Sequence, residues 1–419
     1  MKILISGAQI IDPSSKFHKK TADVLVNNGK IEKIGKLSNP KVDKVIDGKG
    51  KILSVGWFDM RAMVGDPGFE YKEDFASIAE TAITGGFTGV SVLPNTKPVI
   101  QTKNDIKYVI AAAQQGVDFH PIGAVTIDNK GEDLTEMIDL HTAGAVAFSD
   151  GKQPIWHTDI LLKSLQYLQK FNGLLINRPE DIHLNMFGVM NEGVSSTTLG
   201  MKGMPKLAEE LIVQRDLEIL AYAGGRLHLS NISSVRSLAL IKSAKKQGLE
   251  VTCDVASYQT AFTDEDLHDF ETNLKVNPPF REEKDNKAIL KALEDGTIDV
   301  IVSSHVPQDE ESKKLEFDLA DFGVISLQTV AADIVRMSQK IDISLLINKI
   351  TQVPRKLLGI DQPSIAEGEI ANLTLLDTKA EWTIDGKTNK SKSKNSPYWG
   401  STLTGKVVAT IHGKVSFID

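Results

Sequence analysis

Polar side chains that could carry chemistry follow a series of apolar, β-branched runs in the middle of the chain, each at the point where its run ends. Carboxylates and histidines at such positions can ligate a metal ion or transfer protons, whereas a guanidinium stays protonated and can only attract an anion or pair with a carboxylate. Metal or acid–base chemistry and anion binding are therefore both open. The residues in question are Asp59 with Arg61 and Met63, Asn95, Asp150, Arg178 with Glu180, His228 with Asn231, Asp254, and Ser304 with His305.

The apolar runs predict strands, and they alternate with amphipathic stretches of helical length such as residues 103–116. Several of these stretches end in glycines, as helices commonly do. Eight such units predict an α/β protein with a (β/α)8 TIM barrel, whose active site would lie at the C-terminal ends of the strands. A doubly wound open sheet is the alternative, although no glycine-rich phosphate loop follows the first run. The candidate strands are residues 52–59, 87–93, 118–125, 145–150, 174–178, 226–231, 250–255 and 299–304.

The two ends of the chain differ from this middle part, because short alternating runs separated by Pro, Gly and Asn occupy both of them. We predict that the ends pair into one small β-sandwich domain around the barrel. The predicted boundaries are 1–53 and 366–419 for the two parts of the sandwich and 54–365 for the barrel. The basic segment 387–394 (KTNKSKSK) is predicted to be a solvated loop, with anion binding as the alternative.

Composition excludes several classes of function. The 419 residues carry a formal charge of -7 without a clustered basic face, which argues against nucleic acid or an anionic membrane as a partner. No apolar run reaches membrane-spanning length. The single cysteine, Cys253, excludes internal disulfides and a thiolate-cluster metal site, so we predict a reducing, cytoplasmic location.

Seven long strings in the chain resemble the dihydroorotases of the cyclic amidohydrolase superfamily, in the order in which that family has them. The resemblance runs from end to end and implies a metal-bearing barrel with a split β-sandwich. It also implies the reversible cyclisation of carbamoyl-aspartate to dihydroorotate in pyrimidine synthesis. The strings are LPNTKPVI (93–100), LGMKGMPKLAEELIVQRDLEI (199–219), GRLHLSNIS (225–233), TDEDL (263–267), NLKVNPPFR (273–281), DGTIDVIVSSHVP (295–307) and SKSKNSPYWGSTLTGK (391–406).

The resemblance implies one or two zinc ions, held by a His-x-His pair after the first strand, a carboxylate or carboxylated lysine after the fourth, single histidines after the fifth and sixth, and an aspartate after the eighth. Only Asp150 of the residues at these positions can still ligate zinc well, so we predict no bound metal and no acidified water. The aspartate that also serves the family as general base is replaced as well. The residues at the six positions are Arg61, Met63, Asp150, Arg178, Asn231 and Ser304.

The substrate-binding positions implied by the resemblance are only partly kept. Asn95 and Asn277 match two of them, with a structural role in turns as the alternative reading. Gly65 stands where the family has its carboxylate-binding arginine. His228 and His305 are predicted to be packed or hydrogen-bonded rather than catalytic. Further histidines of the family are replaced by Tyr258, Gln259 and Gln308.

Arg61 and Arg178 stand at positions where the family has zinc-binding histidines, so the folded protein has to accommodate two guanidinium groups there. We predict that one or both guanidinium groups lie where the metal would sit and pair with Asp150, or with Asp59, Glu180 or Asp254 nearby. The alternative is that their flexible stems turn outward to solvent.

Three functions remain open from the sequence. The first is a non-catalytic dihydroorotase-like protein that acts as a scaffold or regulatory partner of aspartate carbamoyltransferase, a partner suggested by the resemblance alone. A homodimer is the other association that we predict. The second is an active cyclic amidohydrolase with a rearranged site, for which Ser304 beside His305 is the suggestive pair. The third is a sensor that binds an anionic metabolite through Arg61 or Arg178 without turning it over.

Overall fold

The computed structural model describes residues 1–38, 40–113 and 116–419, and its central part is a closed barrel of parallel strands. Each strand pairs with the next one along the chain, and a parallel bridge between Ala62 and His305 joins the last strand to the first. The predicted (β/α)8 barrel is confirmed, and the open-sheet alternative is wrong. The eight strands are Trp57–Ala62, Phe87–Val92, Asp118–Gly123, Ala147–Phe148, Leu174–Asn177, Arg226–Leu229, Val251–Ala256 and Val300–Val302.

Helices follow the strands and cover the barrel from outside. The predicted helix at 103–116 spans Lys103–Ala111, and Gln114 and Gln115 lie outside the described residues. The main helices are Phe75–Thr84, Lys103–Ala111, Met137–Ala143, Thr158–Leu168, Lys206–Ala223, Val235–Lys246, Glu283–Glu294 and Val330–Ser338. Shorter ones are Val194–Thr198, Glu310–Lys313, Ile343–Lys349 and Gln352–Leu358. Among the described residues, none of these helices is long and apolar enough to cross a membrane.

The barrel strands read as nearly continuous apolar runs because both of their faces are buried. Trp57 packs with the helices in the large outer core, whereas its neighbour Phe58 packs inside the barrel with residues such as Ile122 and Val302. Successive side chains of a strand point to opposite faces, so one run supplies both cores. This rigid double-sided packing fixes the positions of the residues that follow each strand.

Strands from both ends of the chain form a second, mixed sheet with its own hydrophobic core. Ile52–Val55 pairs in antiparallel fashion with Asn372–Thr383, with Val55 opposite Leu373, which joins the N-terminal and C-terminal segments as predicted. At the edge strand Lys30–Gly35, the Ile31 amide donates to the Glu369 carbonyl (2.9 Å), so the sheet is linked back to the C-terminal segment. The remaining strands are Lys2–Ile11, Thr21–Asn27, Lys44–Asp47, Thr402–His412 and Val415–Ile418.

The chain crosses from this sheet into the barrel at Gly56. The predicted single strand 52–59 is therefore two strands, Ile52–Val55 and Trp57–Ala62, which belong to different sheets. A Cβ atom on Gly56 would lie 2.1 Å from Asn372 Oδ1 and 2.4 Å from Thr88 Oγ1, so a larger residue would not fit at the crossing. The sheet thus extends to Val55, two residues beyond the predicted boundary at 53.

Candidate functional site

The C-terminal ends of the barrel strands surround a cavity of about 250 Å³. Arg61, Arg178, Asn231 and Ser304 line it; Arg61 lies near the end of the first strand, and each of the others follows a different strand. Of the six positions that the sequence predicted as the centre of the site, these four meet at the cavity. Met63 and Asp150 are not among its lining residues.

Arg61 is buried, with only 4% of its surface exposed, and it makes no ion pair among the described residues. Nη2 reaches the Gly151 carbonyl at 3.4 Å, and Nη1 has no hydrogen-bond partner. Nε donates to the Asn231 side-chain oxygen (3.2 Å) when that carboxamide is oriented to satisfy its other neighbours. Burial lowers the pKa of Arg61 to about 10, against the opposing effect of Asp254, so the guanidinium stays protonated at neutral pH. The predicted carboxylate pairing and the predicted outward orientation are both wrong for this residue.

Arg178 behaves as predicted, because its Nη2 forms an ion pair with Glu180. Its Nε donates to the Lys152 carbonyl at 2.8 Å. Glu180 also accepts hydrogen bonds from Asn185 (2.8 Å) and from Asn277 (3.2 and 3.3 Å). Burial by itself would raise the pKa of Glu180, but the Arg178 charge and these donors outweigh it and hold the pKa below its ordinary value of 4.5.

The other carboxylates near the mouth are occupied by neutral donors. Asp150 accepts from the Val125 and Thr126 amides (3.0 and 2.9 Å) and from Thr126 Oγ1 (2.6 Å), and Asp59 accepts from the Ser303 amide and hydroxyl (2.7 and 2.6 Å). Burial raises the pKa of Asp150 to about 6 and that of Asp59 to about 7 despite these hydrogen bonds. Of the carboxylates that the sequence offered as partners, Asp150 and Asp59 form no ion pair with Arg61 or Arg178, and the predicted pairing is made by Arg178 with Glu180.

Asn231 and Ser304 form a neutral hydrogen-bonded pair on the cavity wall. With the orientation given above, the Asn231 oxygen accepts from Ser304 Oγ (2.9 Å) and its nitrogen donates to Asp254 (3.3 Å). Both residues have left-handed backbone conformations, with φ of 57° and 50°. Non-glycine residues in this region carry a conformational cost and concentrate at functional sites. The backbone at these two strand ends therefore has the unusual form found at active sites, but it presents an amide and a hydroxyl.

The two predicted packed histidines are buried and hydrogen-bonded. His228 places Nε2 2.9 Å from Asp254 Oδ2 and Nδ1 2.8 Å from Thr252 Oγ1. His305 accepts the Ser326 amide at Nδ1 (3.1 Å) and faces Glu73 through Nε2 (3.4 Å). Because the His305 ring lies among these partners and not beside the Ser304 hydroxyl, the two neighbours do not form a nucleophile–base pair.

The basic segment 387–394 lies along one side of the mouth, and the prediction of a solvated loop is wrong for its serines. Ser391 and Ser393 are buried, and their hydroxyls donate to the Glu73 carboxylate and to the Lys72 carbonyl (2.8 Å). Alternate lysines point outward and pair with acidic residues. These pairs are Lys390 with Glu80, Lys392 with Asp74, and Lys394 with Glu310. The polar, alternating sequence therefore binds to the barrel on one face.

A family profile and the sequences of known relatives point to the same protein family. A family profile described as Dihydro-orotase-like matches residues 50–237. A dihydroorotase of Geobacter metallireducens is 38% identical over 418 residues, which cover 99% of this chain and 98% of the relative. A dihydroorotase of Acetivibrio thermocellus is 39% identical over 414 residues, covering 98% and 97% respectively. The chain belongs to the dihydroorotase family.

Solved structures agree with this dihydroorotase-family fold. An L-hydantoinase from Arthrobacter aurescens superposes with a TM-score of 0.86 at 22% identity, covering 100% of this chain and 96% of that one. A dihydropyrimidinase from Brevibacillus agri gives a TM-score of 0.83 at 19% identity, covering 100% and 95%. At these identities the likeness supports the barrel and the accompanying sheet, and the chemistry has to be read from the residues.

The residues of this dihydroorotase-family protein do not fit the family's zinc ions. No group of three or more His, Cys, Asp and Glu side chains placed to hold a metal occurs in the described part of the chain. Two of the six positions hold protonated guanidinium groups, and the remaining carboxylate, Asp150, uses both of its oxygens on neighbouring donors. Met63 packs against the apolar interior of the barrel.

The substrate positions of the family are changed in shape as well as in chemistry. The loop at Gly65 is so tight that a Cβ atom there would lie 2.0 Å from the Phe69 carbonyl oxygen, which leaves no room for an arginine side chain. Asn95 does not line the cavity and instead fixes the loop after the fourth strand, donating to the Asp150 carbonyl (3.0 Å) and accepting the Lys152 amide (2.9 Å). Asn277 lines the cavity but donates to Glu180.

Two lysines of the mouth were missed by the sequence analysis. Lys152 and Lys72 both line the cavity, so four cations face it against one lining carboxylate, Asp321. Lys72 is neutralised in part, since it lies 3.4 Å from Asp321 and 3.6 Å from Asp309. A lysine is normally a surface residue, so its type alone gave no signal. Lys152 comes two residues after Asp150, which was predicted to end the fourth strand, and this position was the sequence signal that could have placed it at the barrel mouth.

Proposed function

We propose that this protein is a non-catalytic member of the dihydroorotase family, which takes part in pyrimidine biosynthesis as a scaffold or regulatory partner of aspartate carbamoyltransferase. The observation that carries the proposal is the buried, protonated Arg61 at a position where the family has a zinc-binding histidine. A fixed cation there repels a divalent metal ion instead of binding it. The pathway follows from relatives named dihydroorotase at 38–39% identity over nearly the whole chain.

The chemistry of a cyclic amide supports the same proposal. Opening or closing such a ring requires an activated nucleophile, a polarised carbonyl and a group that moves the proton. In the family a metal ion supplies the first two. Here Ser304 has the Asn231 amide as its partner and no base beside it, and His305 is directed towards Glu73. The rearranged active site is therefore not supported by any arrangement of groups among the described residues.

The lack of catalysis is tested with the purified full-length chain. Dihydroorotase activity is measured in both directions with and without added zinc, and bound zinc is measured by elemental analysis. The dihydroorotase of Geobacter metallireducens, prepared in the same way, serves as the positive control. We expect neither stoichiometric zinc nor turnover above the enzyme-free reaction. Stoichiometric zinc together with turnover would overturn the non-catalytic assignment.

The partnership comes from the family resemblance, and it is tested separately. The chain is co-expressed with aspartate carbamoyltransferase of the same organism and analysed by size-exclusion chromatography with light scattering. We expect a complex whose mass contains both chains, and the same run of the chain alone measures the predicted homodimer. Separate elution of the two proteins, with full carbamoyltransferase activity in its own fraction, would rule out a stable assembly.

A further inference from the structure

We propose that the cavity at the barrel mouth is a binding site for a small dianion, held between Arg61 and Lys152. This inference deepens the proposed function and rests on it, because it assigns a ligand to the vacated active site of a non-catalytic protein. Nothing in the comparisons assigns these two residues a role. The ligand class follows from the charges that line the cavity and from its size.

Arg61 provides the first half of the site. Its guanidinium is buried at the cavity, and Nη1 lacks any hydrogen-bond partner among the described residues. A buried cation without a counter-charge is unfavourable, and in native proteins such a group is usually paired. A carboxylate or phosphate in the cavity that Arg61 lines would supply the missing negative charge. A planar guanidinium binds such groups well, because two of its N–H bonds can point at two oxygens.

The protein's own carboxylates do not meet this need. Asp59, Asp150 and Asp254 lie in or just after three different barrel strands, but serine, threonine and histidine side chains or backbone amides occupy their oxygens. Glu180 is committed to Arg178 and to two asparagines. Arg61 is thus attracted by the charge of Asp254 but has no carboxylate in ion-pair contact among the described residues, which leaves room for an acceptor from outside the chain.

Lys152 provides the second half. Its side chain lines the same cavity and makes no hydrogen bond or ion pair in the described part of the chain. Burial lowers its pKa first, and the positive charges of Lys72, Arg178 and Arg61 lower it further. These cations repel one another, so an anion between them would relieve that repulsion while it gains their attraction.

The dimensions and neutral groups of the cavity limit the ligand. A volume of about 250 Å³ is below the range of roughly 300–1,000 Å³ typical of drug-sized ligands, which favours a small metabolite. Arg61 and Lys152 are the two lining cations without an ion pair among the described residues, which favours two negative charges on the ligand. Ser304, Asn231, Asn277 and Tyr258 add hydroxyl and amide groups to the wall, so a ligand with polar atoms between its two charged ends fits the lining.

The site is tested by isothermal titration calorimetry and thermal shift with the full chain. The probes are N-carbamoyl-L-aspartate, L-dihydroorotate, succinate and inorganic phosphate, with succinamide as the uncharged counterpart of succinate. We expect saturable binding of at least one dianion and none of succinamide. A response to phosphate alone would assign the site to phosphate, and a response to the organic acids would assign it to carboxylates. L-Dihydroorotate carries a single carboxylate and serves as the monoanion of the series. If none of the other three anions binds, the proposal is wrong.

Variants identify the residues that hold the anion. Arg61→Gln and Lys152→Gln should each weaken binding by roughly tenfold or more, because each removes one charge from a mostly buried contact. Lys152→Arg keeps the charge and should keep most of the affinity. Lys163→Gln, in an exposed ion pair with Asp159, is the matched control and should bind as the unmodified chain does. Circular dichroism establishes that each variant is folded. Unchanged affinity in both glutamine variants would overturn the assignment.

The same titrations separate this proposal from the proposed function. After each titration the mixture is analysed by chromatography for conversion between carbamoyl-aspartate and dihydroorotate. Conversion would refute the non-catalytic assignment whether or not Arg61 and Lys152 bind an anion. Absence of both conversion and binding would leave the non-catalytic assignment in place and refute the anion site.

Discussion

The barrel buries an arginine at each end, and the two differ in how their donors are satisfied. At the floor, Arg355 donates to the Gly56 carbonyl (2.8 Å), to the Thr351 carbonyl just before its own helix (3.0 Å) and to Thr88 Oγ1 (3.2 Å). It also lies 5.2 Å from the centre of the Phe58 ring. At the mouth, Arg61 leaves Nη1 without an acceptor. Both terminal nitrogens of Arg355 have acceptors, as expected of a framework residue, whereas a terminal nitrogen without an acceptor marks a place for a ligand.

The largest effect is expected at the floor. Arg355→Met should lower the free energy of unfolding by about 3–4 kcal/mol, because it leaves several buried acceptors unpaired and removes the contact with the Phe58 ring. Urea denaturation at pH 7 measures the change. Arg236→Met, at an exposed arginine that pairs with Glu210, is the matched control and should stay within about 0.5 kcal/mol. A loss below about 1 kcal/mol for Arg355→Met would remove the distinction between floor and mouth.

A somewhat smaller effect is expected for the paired arginine of the mouth. Arg178→Met should cost about 2–3 kcal/mol at pH 7, because Glu180 stays buried without its counter-ion while Asn185 and Asn277 still donate to it. Urea denaturation at several pH values, again with Arg236→Met as the control, measures this cost.

The cost should depend on pH with a definite sign. In the unmodified chain the pKa of Glu180 lies below 4.5, so its stabilising contribution is present above pH 4.5 and is lost as the pH falls through the folded-state value. Without Arg178, burial should raise that pKa above 4.5, and the variant should then lose stability as the pH rises. The difference between the two proteins should therefore grow from pH 4 to pH 7, and a constant difference would contradict the assigned ion pair.

The smallest effect is expected at Arg61. Arg61→Met should change the free energy of unfolding of the ligand-free protein by no more than about 1 kcal/mol, in the stabilising direction, because it removes an incompletely bonded buried charge. The same denaturation series measures it, with a saturating dianion as a second condition. A destabilisation as large as that of Arg355→Met would show that Arg61 is a structural residue and would remove the contrast between the two ends.

The fold was readable from the sequence because parallel barrel strands leave a strong local pattern. Each of the eight predicted strands overlaps a barrel strand, since both faces are buried and each strand is rich in apolar residues. The exception lies at residues 52–59, where an apolar run is shared by two sheets. Burial in either sheet selects the same residue types, so the break at Gly56 is revealed by the strand pairing in the folded protein.

The site was readable in part. That Arg61 and Arg178 cannot bind zinc follows from the guanidinium itself and needs no coordinates. Which acceptor each one reaches does not follow, because a long, flexible side chain has several carboxylates within range. Arg178 reaches Glu180 two residues further along the chain, whereas the carboxylates near Arg61 are already taken by donors from other loops.

The segment 387–394 also makes contacts that its own sequence does not predict. Alternating serines and lysines are typical of a solvated loop, and the lysines do face outward. The serines are buried because the barrel offers Glu73 and the Lys72 carbonyl at the matching spacing. That surface is made by a part of the chain more than three hundred residues away, so no local pattern could predict it.

The sequence by itself determined the barrel, the pairing of the two chain ends, the membership of the dihydroorotase family and the loss of zinc-binding side chains. These depend on hydrophobic periodicity and on the chemistry of residue types, which are properties of the chain. Only the tertiary structure decided that Arg61 is buried and incompletely bonded, that Lys152 joins it, and that Asp150 turns away. These depend on which groups from distant loops lie within hydrogen-bond distance of each donor and acceptor, and those distances are defined only in the folded protein.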